Sequence, residues 1–408
     1  MKHNSEQMST LRWLPTLYFA KGLLYVIVFF VSLLMLRQTG LDNAETTACV
    51  ALCYLPWVLK YKWKPLVDWQ RNSQRIILLT ELLLVMAFTV LAFVLSSLWM
   101  TLVLLLLIAC LTSVHNVAVD TFYKVAVGKE NSATYRTVRE LSRKLADVVG
   151  LGVLVMLVGN LQVVYRNAQV FSWRYTTYCV ALIFLLLFFW HLMCLSRLRP
   201  RGLQLHQDEA ALESAPGHRL PATSVMFLLT FLFAAIMQGK MAVLFLVENR
   251  SSGGLGFSPQ EFGFVMGTVG VLGVTIGVVA GNKLVRRLGV GPLLVPMGVV
   301  LVLPSIVYTL LSYWQPSEMW LVSLSVLIEQ LAYGLGLSAY LAYQTSLPNK
   351  KLAKSLMAVS MMAACALSGM LQVQMGYNSF FITTLSLSVV TLISVCLVRK
   401  YSGSESFV

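Results

Sequence analysis

Residues 99–111 read Trp-Met-Thr-Leu-Val-Leu-Leu-Leu-Leu-Ile-Ala-Cys-Leu, without a charged side chain among them. A helix needs about 20 predominantly apolar residues to cross a bilayer, and the apolar character around this stretch extends over residues 99–124. A similar block occupies residues 180–195, and others recur from one end of the chain to the other. The sequence therefore predicts a polytopic α-helical membrane protein.

The composition supports the same interpretation. The chain has 408 residues, of which 58% are hydrophobic and 12% are charged, whereas about a quarter of the residues in soluble domains are charged. The formal charge of +14 would suggest nucleic acid as a partner of a soluble chain. Here Lys and Arg occur in short clusters between apolar blocks, so we assign them to membrane topology and expect no nucleic-acid partner.

No metal site or cofactor is expected, because the seven cysteines all lie inside apolar segments and the five histidines are scattered. Residues 13–36 are too long for the apolar core of a cleavable signal and lack a small-residue cleavage site. We interpret them as the first membrane span.

Twelve spans follow from the apolar blocks and the charged or turn residues between them. The predicted spans are 13–36, 44–66, 75–96, 99–124, 136–159, 171–195, 223–247, 260–283, 290–313, 319–344, 353–375 and 378–399.

Lys and Arg are distributed unequally between the two sets of loops, and such residues concentrate on the cytoplasmic side of membrane proteins. One set of loops holds most of them and the other holds Arg37, Arg166, Arg174 and Arg250. This asymmetry predicts that both termini are cytoplasmic.

The longest polar stretch divides the chain into an N-terminal half (1–196), a cytoplasmic linker (197–222) and a C-terminal half (223–408). Two six-helix halves related by duplication are typical of major facilitator transporters, which bind substrate between the halves. Residues 282–289, Asn-Lys-Leu-Val-Arg-Arg-Leu-Gly, are a degenerate copy of that superfamily's cytoplasmic loop. We therefore predict an all-α membrane protein with the major facilitator fold of 12 transmembrane helices in two pseudo-symmetric halves.

Ionisable groups inside spans are costly enough to be treated as functional candidates. Lys21 and Lys240 lie on the first helix of each half, so their ammonium groups could face an anionic substrate. The alternative is a structural ion pair with Asp120, Glu81 or Glu329, or side chains that reach toward the membrane surface.

His115 and Asp120 lie on adjacent turns of span four and could relay a proton, because histidine titrates near neutral pH. Asp120 could instead pair with a cytoplasmic Lys or Arg. Glu329, near the middle of span ten, is a second candidate for proton coupling.

Two further patterns carry structural expectations. Six glycines spaced along span eight, from Gly263 to Gly281, predict close packing against another helix. The basic segment 136–144 is interpreted as a solvated helix face.

Four segments resemble the AmpG-like anhydromuropeptide permeases, a branch of the major facilitator superfamily. They are Leu17-Tyr-Phe-Ala-Lys-Gly-Leu-Leu-Tyr25, Leu55-Pro-Trp-Val-Leu-Lys60 followed by Trp63-Lys-Pro-Leu-Val-Asp68, Val114-His-Asn-Val-Ala-Val-Asp-Thr-Phe-Tyr123, and the stretch from Glu329 to Tyr340.

The resemblance implies proton-driven uptake of cell-wall fragments through the inner membrane by a protein that works as a monomer. It aligns Asp120 with an aspartate of the family's fourth span. Two positions depart from the family pattern: Lys21 stands where the family has Glu or Gln, and Asn116 stands where it has a first aspartate. These changes remove carboxylates and add a positive charge.

The leading hypothesis is therefore a proton symporter that imports an amphipathic, anionic solute such as a muropeptide or amino-sugar conjugate. The predicted substrate and proton pathway consists of Lys21, Tyr25, His115, Asn116, Asp120, Lys240 and Glu329. The predicted cytoplasmic gate consists of Lys60, Asp68, Arg71, Arg286 and Arg287. The alternatives are a siderophore or acetyl-coenzyme A carrier, an efflux pump, and a non-transporting receptor, while an enzyme is disfavoured by the lack of clustered catalytic groups.

Overall fold

The computed structural model describes residues 2–60, 63, 73–127, 133–166, 168–195 and 220–402. All regular structure in these ranges is helical. The α-helices are α1 Lys2–Val26, α2 Ser32–Gln38, α3 Asn43–Leu52, α4 Leu55–Val58, α5 Ser73–Val94, α6 Leu98–Val127, α7 Ala133–Asp147, α8 Val155–Val164, α9 Gln169–Leu195, α10 Ala222–Thr230, α11 Phe233–Val247, α12 Pro259–Phe264, α13 Val271–Leu288, α14 Gly291–Val300, α15 Leu303–Trp314, α16 Met319–Ser346 and α17 Lys350–Ser402.

In the described part of the chain, three membrane helices contain a π-helical segment, in which each backbone N–H bonds to a carbonyl five residues earlier. These segments are Ile27–Val31 between α1 and α2, Val148–Leu154 between α7 and α8, and Val265–Gly270 between α12 and α13.

Ten helical stretches in the described ranges are long and apolar enough to cross a bilayer. The last of them, Lys350–Arg399, contains Gly376 at φ 74° and ψ 172°, a non-helical conformation that separates predicted spans 353–375 and 378–399. Predicted span 44–66 corresponds to α3 and α4 and then continues into residues outside the described ranges. The all-α class is thus confirmed, and the described helices are consistent with twelve spans.

Large apolar side chains are exposed along these helices, as expected where lipid replaces water. Trp99 is 78% exposed and Trp314 is 75% exposed, and many exposed Leu, Val and Phe residues accompany them. A soluble protein rarely presents such contiguous apolar surface. The observation supports a multi-pass membrane protein.

The first of two compact units comprises residues 1–29, 59–150 and 161–217. Within it α1 packs against α6, α7 and α9, and α5 packs against α6 and α9. Its apolar core includes Trp13, Tyr18, Ile77 and Phe122. These contacts place one face of α1 in the interior of the unit.

The second compact unit comprises residues 30–58, 151–160 and 218–408. Its α13 packs along α16, and a methyl group added to Gly277 would overlap the Leu331 carbonyl and lie 3.1 Å from the Gly334 Cα. The close packing predicted from the glycines of span eight is therefore confirmed. The predicted division of the chain at residues 197–222 stays a prediction, since most of that segment lies outside the described ranges.

Candidate functional site

Lys21, Lys60 and Asp120 form a charged cluster in the first unit. The Lys21 ammonium on α1 donates a hydrogen bond to Asp120 Oδ1 on α6, and Lys60 Nζ lies 3.5 Å from Asp120 Oδ2. The Asp120 side chain is 37% exposed and that of Lys21 is 18% exposed, although both residues lie within apolar spans. The cluster is therefore partly exposed, and it carries two ammonium groups for one carboxylate.

Arg139 on α7 adds a third cation on the same side of this unit. Its guanidinium carbon lies 4.5 Å from the ring centre of Tyr18 and 4.4 Å from that of Tyr123. Guanidinium groups between aromatic faces are held by cation–π attraction. The interpretation of segment 136–144 as a solvated face is therefore wrong for Arg139, which packs against α1 and α6.

His115 on α6 is buried, and its Nδ1 lies 3.0 Å from Thr80 Oγ1 on α5. The Thr80 hydroxyl donates to the carbonyls of its own helix, so it accepts from a protonated Nδ1. Neither His115 Nε2 nor the neighbouring Asn116 Oδ1 has a hydrogen-bond partner among the described residues. The structure does not join His115 to Asp120 by a hydrogen bond.

Glu81 and His191 form a buried pair in the first unit. His191 Nδ1 on α9 lies 2.7 Å from Glu81 Oε1 on α5, and its Nε2 lies 2.9 Å from Thr16 Oγ1 on α1. Both side chains of the pair are 0% exposed. Three helices thus meet at one polar contact inside an apolar bundle.

Lys240 on α11 lies in the second unit and is 3% exposed. Its ammonium nitrogen is 3.8 Å from the ring centre of Phe30 and 5.7 Å from that of Tyr54. Two rings around a desolvated ammonium stabilise its charge by about 2 kcal/mol or more. Lys240 thus lies inside the predicted span 223–247, and its ammonium packs against aromatic rings.

Glu329 on α16 is buried in the same unit and accepts a 2.7 Å hydrogen bond from the Tyr308 hydroxyl. No cation of the described residues lies within ion-pair distance of it. Gly239 flanks it, since a methyl group there would lie 3.6 Å from Glu329 Oε1. An ionised carboxylate in such a place is unfavourable, so Glu329 is suited to hold a proton.

A bidentate ion pair joins Arg37 on α2 to Glu248, which follows α11. Arg37 Nε and Nη2 each lie 2.9 Å from a Glu248 carboxylate oxygen, and Nη1 donates to the Leu41 carbonyl. Nearby in the chain, Asn43 Nδ2 donates to Gln372 and to the Tyr377 hydroxyl. The ion pair therefore connects α2 to the end of α11, and the Asn43 bonds connect α3 to α17, all within the second unit.

Tyr25, Arg286 and Arg287 are the remaining predicted residues that the structure describes. The Tyr25 ring packs at a tilt of 57° against Phe29, with ring centres 4.9 Å apart. Arg286 and Arg287 lie exposed in the last turn of α13, without an ion pair among the described residues. Asp68 and Arg71 lie outside the described ranges.

Sequence reasoning missed Arg139, His191 and the Arg37–Glu248 pair. Arg139 has only a basic helix face around it in the sequence, and Arg37 and Glu248 are 211 positions apart. His191 carried a usable signal, because a histidine inside an apolar span calls for a partner and Glu81 was already a candidate. No group of three His, Cys, Asp or Glu side chains in the described ranges could hold a metal ion.

Known proteins resemble this chain over nearly its whole length. The model of the Major Facilitator Superfamily matches residues 149–373. A protein named transporter AmpG 4, from Rickettsia conorii, is 22% identical over 408 residues, which cover 91% of this chain and 92% of the relative. The likeness to AmpG-like proteins therefore extends well beyond the short segments that first suggested it.

Solved transporters share the fold. Nucleoside transporter NupG superimposes with a TM-score of 0.67 at 13% identity, over 96% of this chain and 99% of that structure. A D-xylose-proton symporter superimposes with a TM-score of 0.66 at 12% identity, over 96% of each chain.

Proposed function

We propose that this chain, which belongs to the Major Facilitator Superfamily, imports an anionic, amphipathic solute together with protons. The family makes it a multi-pass membrane transporter rather than an enzyme. The solute class, the direction and the proton coupling are the proposal, and a muropeptide or amino-sugar conjugate is the solute that the likeness to AmpG-like proteins favours.

The observation that carries the proposal is the excess of positive charge around Asp120. Lys21 and Lys60 both contact one carboxylate, so one ammonium charge has no counter-charge among the described residues of this cluster. A charge inside a span is unfavourable by about 3 kcal/mol on insertion scales. An anionic solute bound beside the partly exposed Asp120 would offset that charge, which gives the site a preference for anions.

Lys240 supports the same preference from the second unit. Its ammonium is buried against aromatic rings in this structure, and in this proposal the alternating-access movement exposes both the ammonium and the rings to a solute with an anionic group and an apolar surface. Sugar rings and acyl groups pack on aromatic faces, while the ammonium attracts a carboxylate.

Proton coupling is assigned to Glu329 in this proposal. Asp120 is held between two ammonium groups, which favour its ionised form, so it acts as counter-charge and positioning residue. Glu329 has a hydroxyl donor but no cation beside it among the described residues, and it can alternate between neutral and ionised forms as its surroundings change. Alternating access of the two halves would then release solute and proton on the cytoplasmic side.

The proposed setting is the inner membrane of a bacterium, with both termini in the cytoplasm and a monomer as the working unit. The orientation is supported by the unequal distribution of Lys and Arg, and the inner membrane by the likeness to AmpG-like proteins.

The test is uptake of a labelled N-acetylglucosamine–anhydro-N-acetylmuramyl peptide into proteoliposomes, with and without an acid-outside gradient. We expect accumulation only with the gradient. Exchange of labelled for unlabelled solute, measured without a gradient, reports binding and transport separately from coupling.

Absence of both uptake and exchange, in vesicles whose protein is folded by circular dichroism, would overturn this solute. Exchange without gradient-driven accumulation would retain the solute and overturn proton coupling. A neutral sugar of similar size serves as the control substrate and should not accumulate.

A further inference from the structure

The hydroxyl of Thr16 fixes the protonation of His191. Thr16 Oγ1 lies 3.0 Å from the Trp13 carbonyl oxygen, and a carbonyl can only accept, so the single hydroxyl proton is directed to it. Thr16 Oγ1 must then accept in its 2.9 Å contact with His191 Nε2. His191 therefore carries a proton on Nε2.

One further proton must lie between His191 Nδ1 and Glu81 Oε1. The two atoms are 2.7 Å apart, and two lone pairs at that distance would repel. Either Glu81 is a neutral acid that donates to Nδ1, or His191 is a cation whose Nδ1–H donates to a carboxylate. Both arrangements hold one proton at this contact and leave the pair without net charge.

The second oxygen of Glu81 favours the neutral acid. Glu81 Oε2 is buried and has no hydrogen-bond partner among the described residues. An ionised carboxylate would leave negative charge on this atom without a donor, in an apolar bundle, which is more unfavourable than an unpartnered carbonyl oxygen. We therefore place the proton on Oε1.

Among the described residues, the charged side chains of the neighbouring helices form no further hydrogen bond to Glu81 or His191. The described ionisable side chains of the helices packed against α5 and α9 include Arg12, Tyr18, Lys21 and Tyr25 on α1 and Cys110, His115, Asp120, Tyr123 and Lys124 on α6, while Arg75 and Arg174 lie on α5 and α9 themselves. His115 is bonded to Thr80 and Lys21 to Asp120.

We propose that Glu81 and His191 form a proton-binding site, which holds one exchangeable proton at neutral pH and gives it up during transport. The release step rests on the proposed function. When the proton leaves Glu81 Oε1 for water, a carboxylate faces the lone pair of a neutral Nδ1, and the contact opens. Proton release is thereby coupled to movement of α5 relative to α9.

Binding of the proton is tested by infrared spectroscopy of the purified protein in lipid nanodiscs at neutral pH, in H2O and in D2O. We expect a carboxylic-acid band that shifts in D2O and is missing in Glu81→Gln, whose amide can still donate to Nδ1. The band should persist at an altered frequency in His191→Gln and be unchanged in Glu318→Gln, a change at an exposed glutamate. A Glu81→Gln spectrum identical to that of the wild type in the acid region would overturn the site.

Release of the proton is tested with the labelled anhydromuropeptide in proteoliposomes. Glu81→Gln should retain solute exchange within about twofold and lose at least tenfold in gradient-driven accumulation. Unchanged accumulation would overturn release from Glu81. Wild-type vesicles without exchange would instead overturn the proposed function and the release step with it, and the spectra would still decide whether the site binds a proton.

Discussion

Lys21 illustrates how a single residue changes the charge of a site. It stands on α1 against Asp120, and with Lys60 it gives the cluster two ammonium groups for one carboxylate. A glutamate or glutamine at position 21 would leave this cluster with no positive excess. The preference for an anion therefore depends on Lys21.

Lys21→Gln should raise the half-saturating concentration of the labelled anhydromuropeptide about tenfold, or about 1.4 kcal/mol, with a smaller effect on the maximal rate.

Asp120→Asn should lower accumulation at least tenfold, because two ammonium groups then face each other without a counter-charge. The double variant should be impaired less than the product of the two single effects, since the partners contact each other. Strictly multiplicative effects in the exchange assay would contradict a functional pair.

Glu329→Gln tests the proton carrier of the second unit. The amide oxygen can still accept the hydrogen bond from Tyr308, so packing is preserved, but the side chain can no longer exchange a proton. We expect solute exchange to persist and gradient-driven accumulation to fall at least tenfold. Glu318→Gln is the matched control, and equal accumulation by the two variants would remove Glu329 from the coupling mechanism.

At the scale of elements, the crossing of α13 and α16 depends on glycines that leave no room for a side chain. Gly277→Ala should lower the free energy of unfolding by about 1–3 kcal/mol, because its methyl group would overlap the Leu331 carbonyl. Gly291→Ala is the control, since nothing lies within 4 Å of a methyl group there. Thermal unfolding in detergent, followed by tryptophan fluorescence, should show a lower midpoint only for Gly277→Ala.

The Arg37–Glu248 pair connects two elements that are distant in sequence. Glu248→Gln leaves the guanidinium without its charged partner, and we expect a loss of about 2–5 kcal/mol in unfolding free energy. Exchange of the two residues, Arg37→Glu with Glu248→Arg, should recover part of that loss. A reversed pair no more stable than Glu248→Gln in the same thermal assay would contradict a specific ion pair.

How far the sequence predicted the elements depends on the kind of signal. Apolar length gave the spans, because a bilayer imposes one length on every crossing helix, and glycine spacing gave the close packing of α13. The partners of individual side chains were harder to predict. Arg37 and Glu248, or Glu81 and His191, are joined only by the tertiary fold, and no local pattern encodes a contact between residues more than a hundred positions apart. Lys21 and Asp120 were among several possible pairs, and the structure identified the pair that forms.

For the whole molecule, the distribution of Lys and Arg makes a prediction about orientation. Fusions of green fluorescent protein to either terminus should fluoresce in the bacterial cytoplasm, where that reporter folds. Alkaline phosphatase fused after Arg250 should be active, because that loop is predicted to face outside. An inactive phosphatase after Arg250, together with an active one at a terminus, would reverse the topology.

The π-helical segments have a consequence for comparing this chain with its relatives. Each such segment accommodates one residue more than an α-helical turn while the flanking helix keeps its course. A relative with an uninterrupted α-helix would therefore differ by a single-residue gap in the middle of a span, within 27–31, 148–154 or 265–270. Alignments that confine gaps to loops would shift every later position of that span by one, about 100° around the helix axis, and would compare lipid-facing residues with interior ones.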